Sequence, residues 1–485
     1  MSPHFSTFTL YRGIYHMHEH SSHNDAGEHS ARHSAQEFER LLSQQQLHFI
    51  DLFKVEEIYN YYICANELVK AQALLLYAFK SHPYSSDLYY KQAKIDIELK
   101  KYQQALNNIE TALQYSPMHR EYMLFQSEIL AQLDSYAAAH EILEEILAYS
   151  TDHQEEVLLQ MGNIAQVCRR PADSEKYYRQ ALMLAPNFED ALFELAFLLE
   201  SEEKLIDSIK LYENYLNKRP YSYEVWYNLG ILYRKVGNYE KALEALDYVI
   251  LISEEYSLAY YAKGQLLMLL EQYEEALKAF LYTNYLIPND MHTIYHIAEC
   301  YENLHLFRDA IRYYRKATKR DAEYTDAWVG MGYCLEKSEK YMEAVHYYYR
   351  AFKLDDENED VCLALAICEH RLGNKNSAYL FLERAIQLRP EEINIWQDWG
   401  QLLYEKDNFQ DAVSYLEEGI KLNPDSATLY YQCAAYSFEA GLYSQSLNYL
   451  KNALLLDYQA HYVLFHFVPK LKEIRLITDL IQQCG

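Results

Sequence analysis

Any chemistry this chain performs would have to begin with its histidines and carboxylates. His292 and His296 stand four residues apart and Glu299 follows three later, so on one helix the three side chains share a face and could hold a metal ion. A denser group lies at the start: His4, His16, His18, His20, His23, His29 and His33 are seven of the nineteen histidines, and six of them fall within HMHEHSSHNDAGEHSARH. Imidazoles at that density, His16, His18, His20 and His23 above all, are able to take up Zn²⁺, Ni²⁺ or Cu²⁺. A defined site also needs a rigid element that fixes the spacing. Residues 1–34 have no apolar periodicity, so they are read as a disordered polar leader, and no metal site is assigned. No G-x-x-x-x-G-K-[ST], G-x-G-x-x-G, G-x-S-x-G or H-E-x-x-H spacing occurs. The eight cysteines are scattered without a C-x-x-C pair, the usage of reduced thiols rather than of a disulfide framework. The chain is therefore expected to be no enzyme and to need no cofactor.

The elements that must position every remaining side chain are short helices in a fixed rhythm. In YEVWYNLGILYRKVGNYEKALEALDYVILISEEY, residues 223–256, Trp226, Leu229, Gly230, Tyr233, Gly237, Tyr239, Ala242 and Leu246 occupy positions 4, 7, 8, 11, 15, 17, 20 and 24 of a 34-residue unit. The pattern steps along the chain from starts at Leu52, Ser86, Arg120, Glu155, Glu189, Tyr223, Ser257, Met291, Thr325, Glu359, Ile393 and Ala427, every step 34 residues except the 35 from Arg120 to Glu155. Position 20 is Ala or Ser in all twelve repeats, which marks a helix crossing too close for a larger side chain. Position 8 is Gly in five repeats and Ala in five others, and is read as its partner across the hairpin, with close backbone approach as the reason for glycine. Seven of the ten prolines sit at position 32, where a second helix ends. Gly237, Gly373 and Gly441 mark the turn inside a repeat, at position 15. The large aromatics at positions 17 and 24 are read as core.

This spacing resembles the tetratricopeptide repeat. The resemblance implies an all-α, right-handed superhelix of about twelve helix–turn–helix repeats over 52–460, in which the first helices line a concave groove. In that family positions 2, 5, 9, 12 and 13 point into the groove. Here they carry an acidic set that includes Glu224, Glu299, Glu302, Asp326, Glu336 and Asp360, against few cations, among them Arg234, Lys235, Lys337 and Arg371. The Lys/Asn/Arg clamp that relatives use to capture acidic chaperone tails is not visible. Tyr227, Tyr261 and Tyr295 form a column at position 5 of three consecutive repeats. A peptide site is accordingly expected at Tyr227, Asn228, Arg234, Lys235, Tyr261, Tyr295, Glu299 and Glu302, on the repeats at Tyr223, Ser257 and Met291.

Both ends depart from the rhythm. Residues 35–51 place Phe38, Leu41, Leu42 and Leu47 at roughly helical spacing and predict an N-terminal capping helix. Residues 461–485 carry Pro469 and then Leu471, Ile474, Ile477, Leu480 and Ile481 as one stripe, which predicts a capping helix on the last repeat. The formal charge of −27 argues against nucleic acid and anionic membranes as partners, and no apolar run reaches the length of a membrane span. The expectation is a cytoplasmic scaffold that binds a protein or peptide, basic or aromatic-rich. The alternative is a structural component that forms homo-oligomers through its ends or convex face.

Overall fold

A computed structural model describes residues 25–44, 49–405 and 408–484, and all regular structure among them is helical. The chain divides into two compact units, up to Pro220 and from Tyr221 onward. In the N-terminal unit, α1 (Asp25–Ser43) precedes five antiparallel helix pairs: α2–α3 (Leu52–Cys64, Leu68–Ser81), α4–α5 (Ser86–Glu98, Tyr102–Tyr115), α6–α7 (Arg120–Gln132, Tyr136–Tyr149), α8–α9 (Gln154–Val167, Pro171–Leu184) and α10–α11 (Glu189–Ser201, Leu205–Leu216). The C-terminal unit holds seven more: α12–α13 (Tyr223–Lys235, Tyr239–Ile252), α14–α15 (Ser257–Leu269, Tyr273–Leu286), α16–α17 (Met291–Asn303, Phe307–Arg320), α18–α19 (Thr325–Lys337, Tyr341–Leu354), α20–α21 (Glu359–Arg371, Lys375–Leu388), α22–α23 (Ile393–Glu405, Phe409–Leu422) and α24–α25 (Ala427–Glu439, Tyr443–Leu456). Among the described residues each unit is thus a stack of helix hairpins without a sheet, the all-α solenoid architecture that small residues at fixed spacing demand.

Three local devices repeat. Some helix starts are capped by the side chain that precedes them: Asp290 accepts from the Thr293 amide at 2.8 Å and Asn358 from the Val361 amide at 3.0 Å. The turn inside a pair puts position 15 in the left-handed region. Gly237, Gly373 and Gly441 do this without strain, but so do Asn66, Lys100, Asp134, Arg169, Glu203, Glu271, His305 and Glu339. What holds them there is the bond from the next amide back to the carbonyl of position 11, as Leu306 to Tyr301 at 2.8 Å and Lys340 to Leu335 at 2.9 Å. The third device is the crossing. Position-20 residues from Ala71 to Ala412 are fully buried. Where position 20 is serine, its hydroxyl donates to the position-8 carbonyl: Ser174 to Gly162 at 2.9 Å and Ser446 to Ala434 at 2.7 Å.

The ends correct the sequence reading. The helix expected over 35–51 runs instead from Asp25 to Ser43, so it begins inside the supposed leader and stops earlier. Its inner face buries Ala35 and Phe38, and Ser34 Oγ donates to Glu57 Oε2 at 3.1 Å. It cannot run on to Asp51, because Asp51 sits in extended backbone and its side chain caps α2 through the Phe53 amide at 2.8 Å. His16, His18, His20 and His23 lie outside the described residues. The C-terminal cap is four short pieces rather than one helix: 3₁₀ turns at Gln459–Val463 and Pro469–Glu473, α26 (Leu464–Phe467) and α27 (Arg475–Cys484). Pro469, which lacks an amide hydrogen, opens the second 3₁₀ turn. Leu464, Val468, Leu471, Ile477 and Ile481 are buried in the core of the last repeats. Leu471, Ile477 and Ile481 of the apolar stripe are spent in covering the last repeats, and Ile474 and Leu480 are partly buried against them.

Overpacking the crossing should be costly. Ala344 is fully buried where α19 crosses α18, so Ala344→Leu is expected to lower stability by about 1–3 kcal/mol in chemical denaturation. An unchanged midpoint would contradict the crossing geometry.

Candidate functional site

The first helices α16, α18 and α20 and the aromatics behind them enclose a cleft of about 380 Å³. Its sequence origin is a variation on the crossing. In the repeats at Met291 and Thr325, position 12 is glutamate and position 24 is tyrosine, twelve residues apart. Tyr314 donates its hydroxyl to Glu302 Oε2 at 2.9 Å, and Tyr348 to Glu336 Oε2 at 2.8 Å. The next repeat adds a thiol at position 10 to the same oxygen: Cys334 at 3.5 Å to Glu302 and Cys368 at 3.9 Å to Glu336. A pair that is apolar in the repeat at Ser257, Met268 with Phe280, is here a partly buried carboxylate held by two neutral donors.

Glycine makes the geometry possible. A Cβ on Gly332 would come to 2.7 Å from the Tyr348 ring, and one on Gly330 would lie inside the van der Waals envelope of Tyr314. Tyr314 therefore packs against the following repeat, while Tyr348 packs within its own. The nearest group to these glycines is an aromatic ring, so the close approach inferred for position 8 is to the position-24 side chain as well as to backbone.

The electrostatics follow from burial. The Glu302 carboxyl is pushed above the usual carboxylate range, chiefly by desolvation; its bonds from Tyr314 and Cys334 pull the other way and neighbouring Glu299 adds to the rise. The hydroxyls of Tyr295, Tyr314 and Tyr348 are pushed well up, first by burial and then by nearby carboxylates. The Cys334 and Cys368 thiols are raised by the same two causes, so neither is a reactive thiolate.

Of the eight residues expected at a peptide site, the cleft takes in Tyr295, Glu299 and Glu302. Tyr295 packs on Tyr314 and Tyr324 with ring centroids 5.7 and 5.1 Å apart. The other five lie outside it. The half-buried Tyr227 ring meets Tyr256 edge-on at 5.5 Å, Asn228 donates to the Glu224 carbonyl at 3.0 Å, Arg234 donates to Gln265 at 3.3 Å, and Lys235 is exposed. Tyr261 is held by the His296 Nε2 at 3.0 Å, while His296 Nδ1 meets Glu299 at 2.6 Å. Both nitrogens of His296 are therefore occupied, and among the described residues no group of three or more His, Cys, Asp or Glu could hold a metal. The tyrosine column does not continue the cleft because the repeat at Ser257 has Met268 and Phe280 where its neighbour has Glu302 and Tyr314, and Phe280 fills the space above Gly264.

The sequence reading missed Tyr314, Tyr333, Tyr348 and Gly330. Tyr314 and Tyr348 were assigned to core on their position alone. The signal was present: glutamate at 12 with tyrosine at 24 of the same repeat and cysteine at 10 of the next.

Sequence models of the tetratricopeptide repeat match residues 90–153, 223–256, 258–281, 301–359 and 393–426. No curated protein sequence matches the chain. Among solved structures it is similar to YrrB, titled a TPR protein with an unusual peptide-binding site, at 19% identity over 39% of this chain and 96% of that one, TM-score 0.35. It is also similar to MamA from Desulfovibrio magneticus RS-1, at 18% identity over 38% and 95%, TM-score 0.33. A third is a tetratricopeptide repeat protein from Parabacteroides merdae, at 18% over 51% and 98%, TM-score 0.35.

Two outcomes test the Glu–Tyr arrangement. Gly330→Ala should displace the Tyr314 ring and cost about 1–3 kcal/mol of stability, whereas a glycine kept only for helix flexibility would gain stability on becoming alanine. A carboxyl whose folded pKa is raised destabilises while ionised and recovers as pH falls through that pKa. Relative to Glu302→Gln, the natural protein should therefore gain melting temperature as pH drops from neutral into the carboxylate range. A difference independent of pH would refute the assignment of Glu302 as a desolvated carboxylate.

Proposed function

The chain is built of tetratricopeptide repeats and belongs to that family, and from that premise we propose that it is a non-catalytic interaction scaffold. It takes an extended protein segment across α16, α18 and α20. The observation that carries this reading is the cleft itself. Its volume is at the lower end for a ligand site, enough for one or two side chains of a passing peptide and too small for a folded partner. Half-buried Val329, Leu363 and Ile367 give it apolar walls, and Tyr333 stands exposed at its side. This combination of apolar wall and amphipathic ring is what peptide-binding surfaces use to gain contact area at low entropic cost.

The scaffold reading extends to the rest of the chain. The twelve repeats from Leu52 to Ala460 act as the frame, with α1 and the C-terminal pieces as its caps. The cysteines described are unpaired, several of them buried, which supports the cytoplasm as the compartment. Among the described residues no helix is long and apolar enough to cross a membrane.

The test is selection of a random decapeptide display library on the full chain, followed by affinity measurement of the enriched peptides. Tyr333→Ala and Leu363→Ala, which alter partly exposed side chains, should each weaken binding by about 2 kcal/mol, roughly thirtyfold, if they line the site. Enriched peptides that bind both variants as well as they bind the natural protein would sink this location for the site.

A further inference from the structure

The cleft has a pronounced charge asymmetry. Glu299, Glu302, Asp326, Glu336 and Asp360 all line it, and no lysine, arginine or histidine does. Acidic residues on a surface are usually solvated and mean little. These differ because they stand in a concave site whose other walls are tyrosine rings, and because two of them are partly buried without a counter-charge.

Glu302 and Glu336 each spend Oε2 on a tyrosine hydroxyl and a cysteine thiol. Those donors are neutral, so they satisfy hydrogen bonding and leave the net charge in place. Of the nearby cations, Arg371 pairs with Glu405 at 2.6 Å and Arg315 donates to the Tyr347 hydroxyl at 3.4 Å, while Lys337 stands beside the cleft, 5.1 Å from the Tyr333 ring centroid and without an ion pair to these carboxylates. Among the described residues none of Glu302, Glu336, Asp326 and Asp360 has an ion pair to a lysine or arginine. A carboxylate kept partly out of water without a cation is a standing cost, and an incoming cation converts that cost into affinity.

The aromatic walls select the kind of cation. Tyrosine faces attract organic cations at ring distances of about 6 Å or less. The chain shows this locally in Lys337 over Tyr333 and in Lys316 over Tyr313 at 4.2 Å. A hard metal ion would instead need several oxygens converging on one point, and no such group of carboxylates exists among the described residues.

We propose that this cleft is a receptor for a single arginine or lysine side chain of an extended peptide, with Glu302 and Glu336 as the inner counter-charges, Asp326 and Asp360 at the rim, and Tyr295 and Tyr333 as flanking rings. The proposal rests on the reading that this face binds peptides, and it adds the chemistry of the residue that anchors them.

The experiment compares peptides enriched from the random decapeptide library by fluorescence anisotropy on the full chain and on three double variants. These are E302Q/E336Q, the rim variant D326N/D360N, and a control, E240Q/E244Q, that removes two exposed charges from α13. Enriched peptides should share an arginine or lysine at one position. Replacing that residue by alanine should weaken binding at least tenfold, as should E302Q/E336Q. The rim variant should lose several-fold and the control should bind as the natural protein does. The rim residues are exposed, so D326N/D360N remains informative should the inner pair unfold on substitution. Equal loss in the control would mean attraction to overall negative charge and would overturn the proposal. So would enriched peptides without a shared cation, or peptides that depend on Tyr333 and not on the carboxylates; in the last case the groove reading stands alone. Peptides indifferent to Tyr333 and to all the carboxylates would remove both.

Discussion

The structure depends on one contact: two helices of a repeat cross where position 20 can carry no more than a methyl or a hydroxymethyl group. Ala242, Ala276, Ala310, Ala344, Ala378 and Ala412 are all fully buried there. The close approach brings the ring or branched side chain at position 24 over position 8. Where that ring is aromatic, as with Tyr178, Phe280 and Tyr348, the residue beneath it is Gly162, Gly264 or Gly332, and a Cβ would collide with it. Where it is Leu246 or Leu416, a Cβ on Gly230 or Gly400 would come to 3.3 or 3.1 Å, which neighbours can nearly accommodate. In these repeats the small residue leaves room for the large one across the hairpin, although Tyr212 and Tyr314 occupy position 24 in repeats whose position 8 is Ala196 or Ala298.

Much of the fold was legible because that constraint is local and periodic. Alanine or serine every 34 residues can be read directly, and it excludes a sheet. The left-handed turn was harder. Only three glycines announced position 15, yet Lys100, Glu203, Glu271 and Glu339 adopt the same conformation without glycine's freedom. The returning amide bond to position 11 outweighs the roughly 1–2 kcal/mol that a left-handed residue costs, so composition at that position carries little information. The ends were misread for a related reason. A stripe such as Leu471, Ile474, Ile477, Leu480 and Ile481 indicates which residues are buried and not whether one helix or several short pieces buries them.

The candidate site was legible only in part. Tyr295, Glu299 and Glu302 could be placed on the first-helix face from their position in the repeat, and they do line the cleft. Tyr227 and Tyr261 occupy the same position and do not, since what opens or closes a cleft is decided by side chains from the second helix and from the following repeat. Position alone cannot distinguish Phe280, which closes the space, from Tyr314, whose ring leans on Gly330 and leaves Glu302 at the wall.

A repeat protein can change the polarity of its inner face without disturbing its frame, and the pair at positions 12 and 24 shows how. In the repeat at Ser257 the pair is Met268 and Phe280, where Met268 accepts from the Cys300 thiol at 3.2 Å and the His296 ring stacks on Phe280. In the repeats at Met291 and Thr325 the same backbone carries Glu302 with Tyr314 and Glu336 with Tyr348. The exchange keeps the aromatic volume that the core needs, since Tyr314 and Tyr348 remain 2% exposed. It adds a hydroxyl, which would be costly to bury unpaired, and a carboxylate, which would be costly to bury alone. Each relieves the other: the hydroxyl donates, the carboxylate accepts, and a cysteine from the next repeat supplies a second donor. What the exchange does not relieve is net charge. Two adjacent repeats therefore hold carboxylates whose hydrogen-bond donors are neutral, at the wall of the cleft.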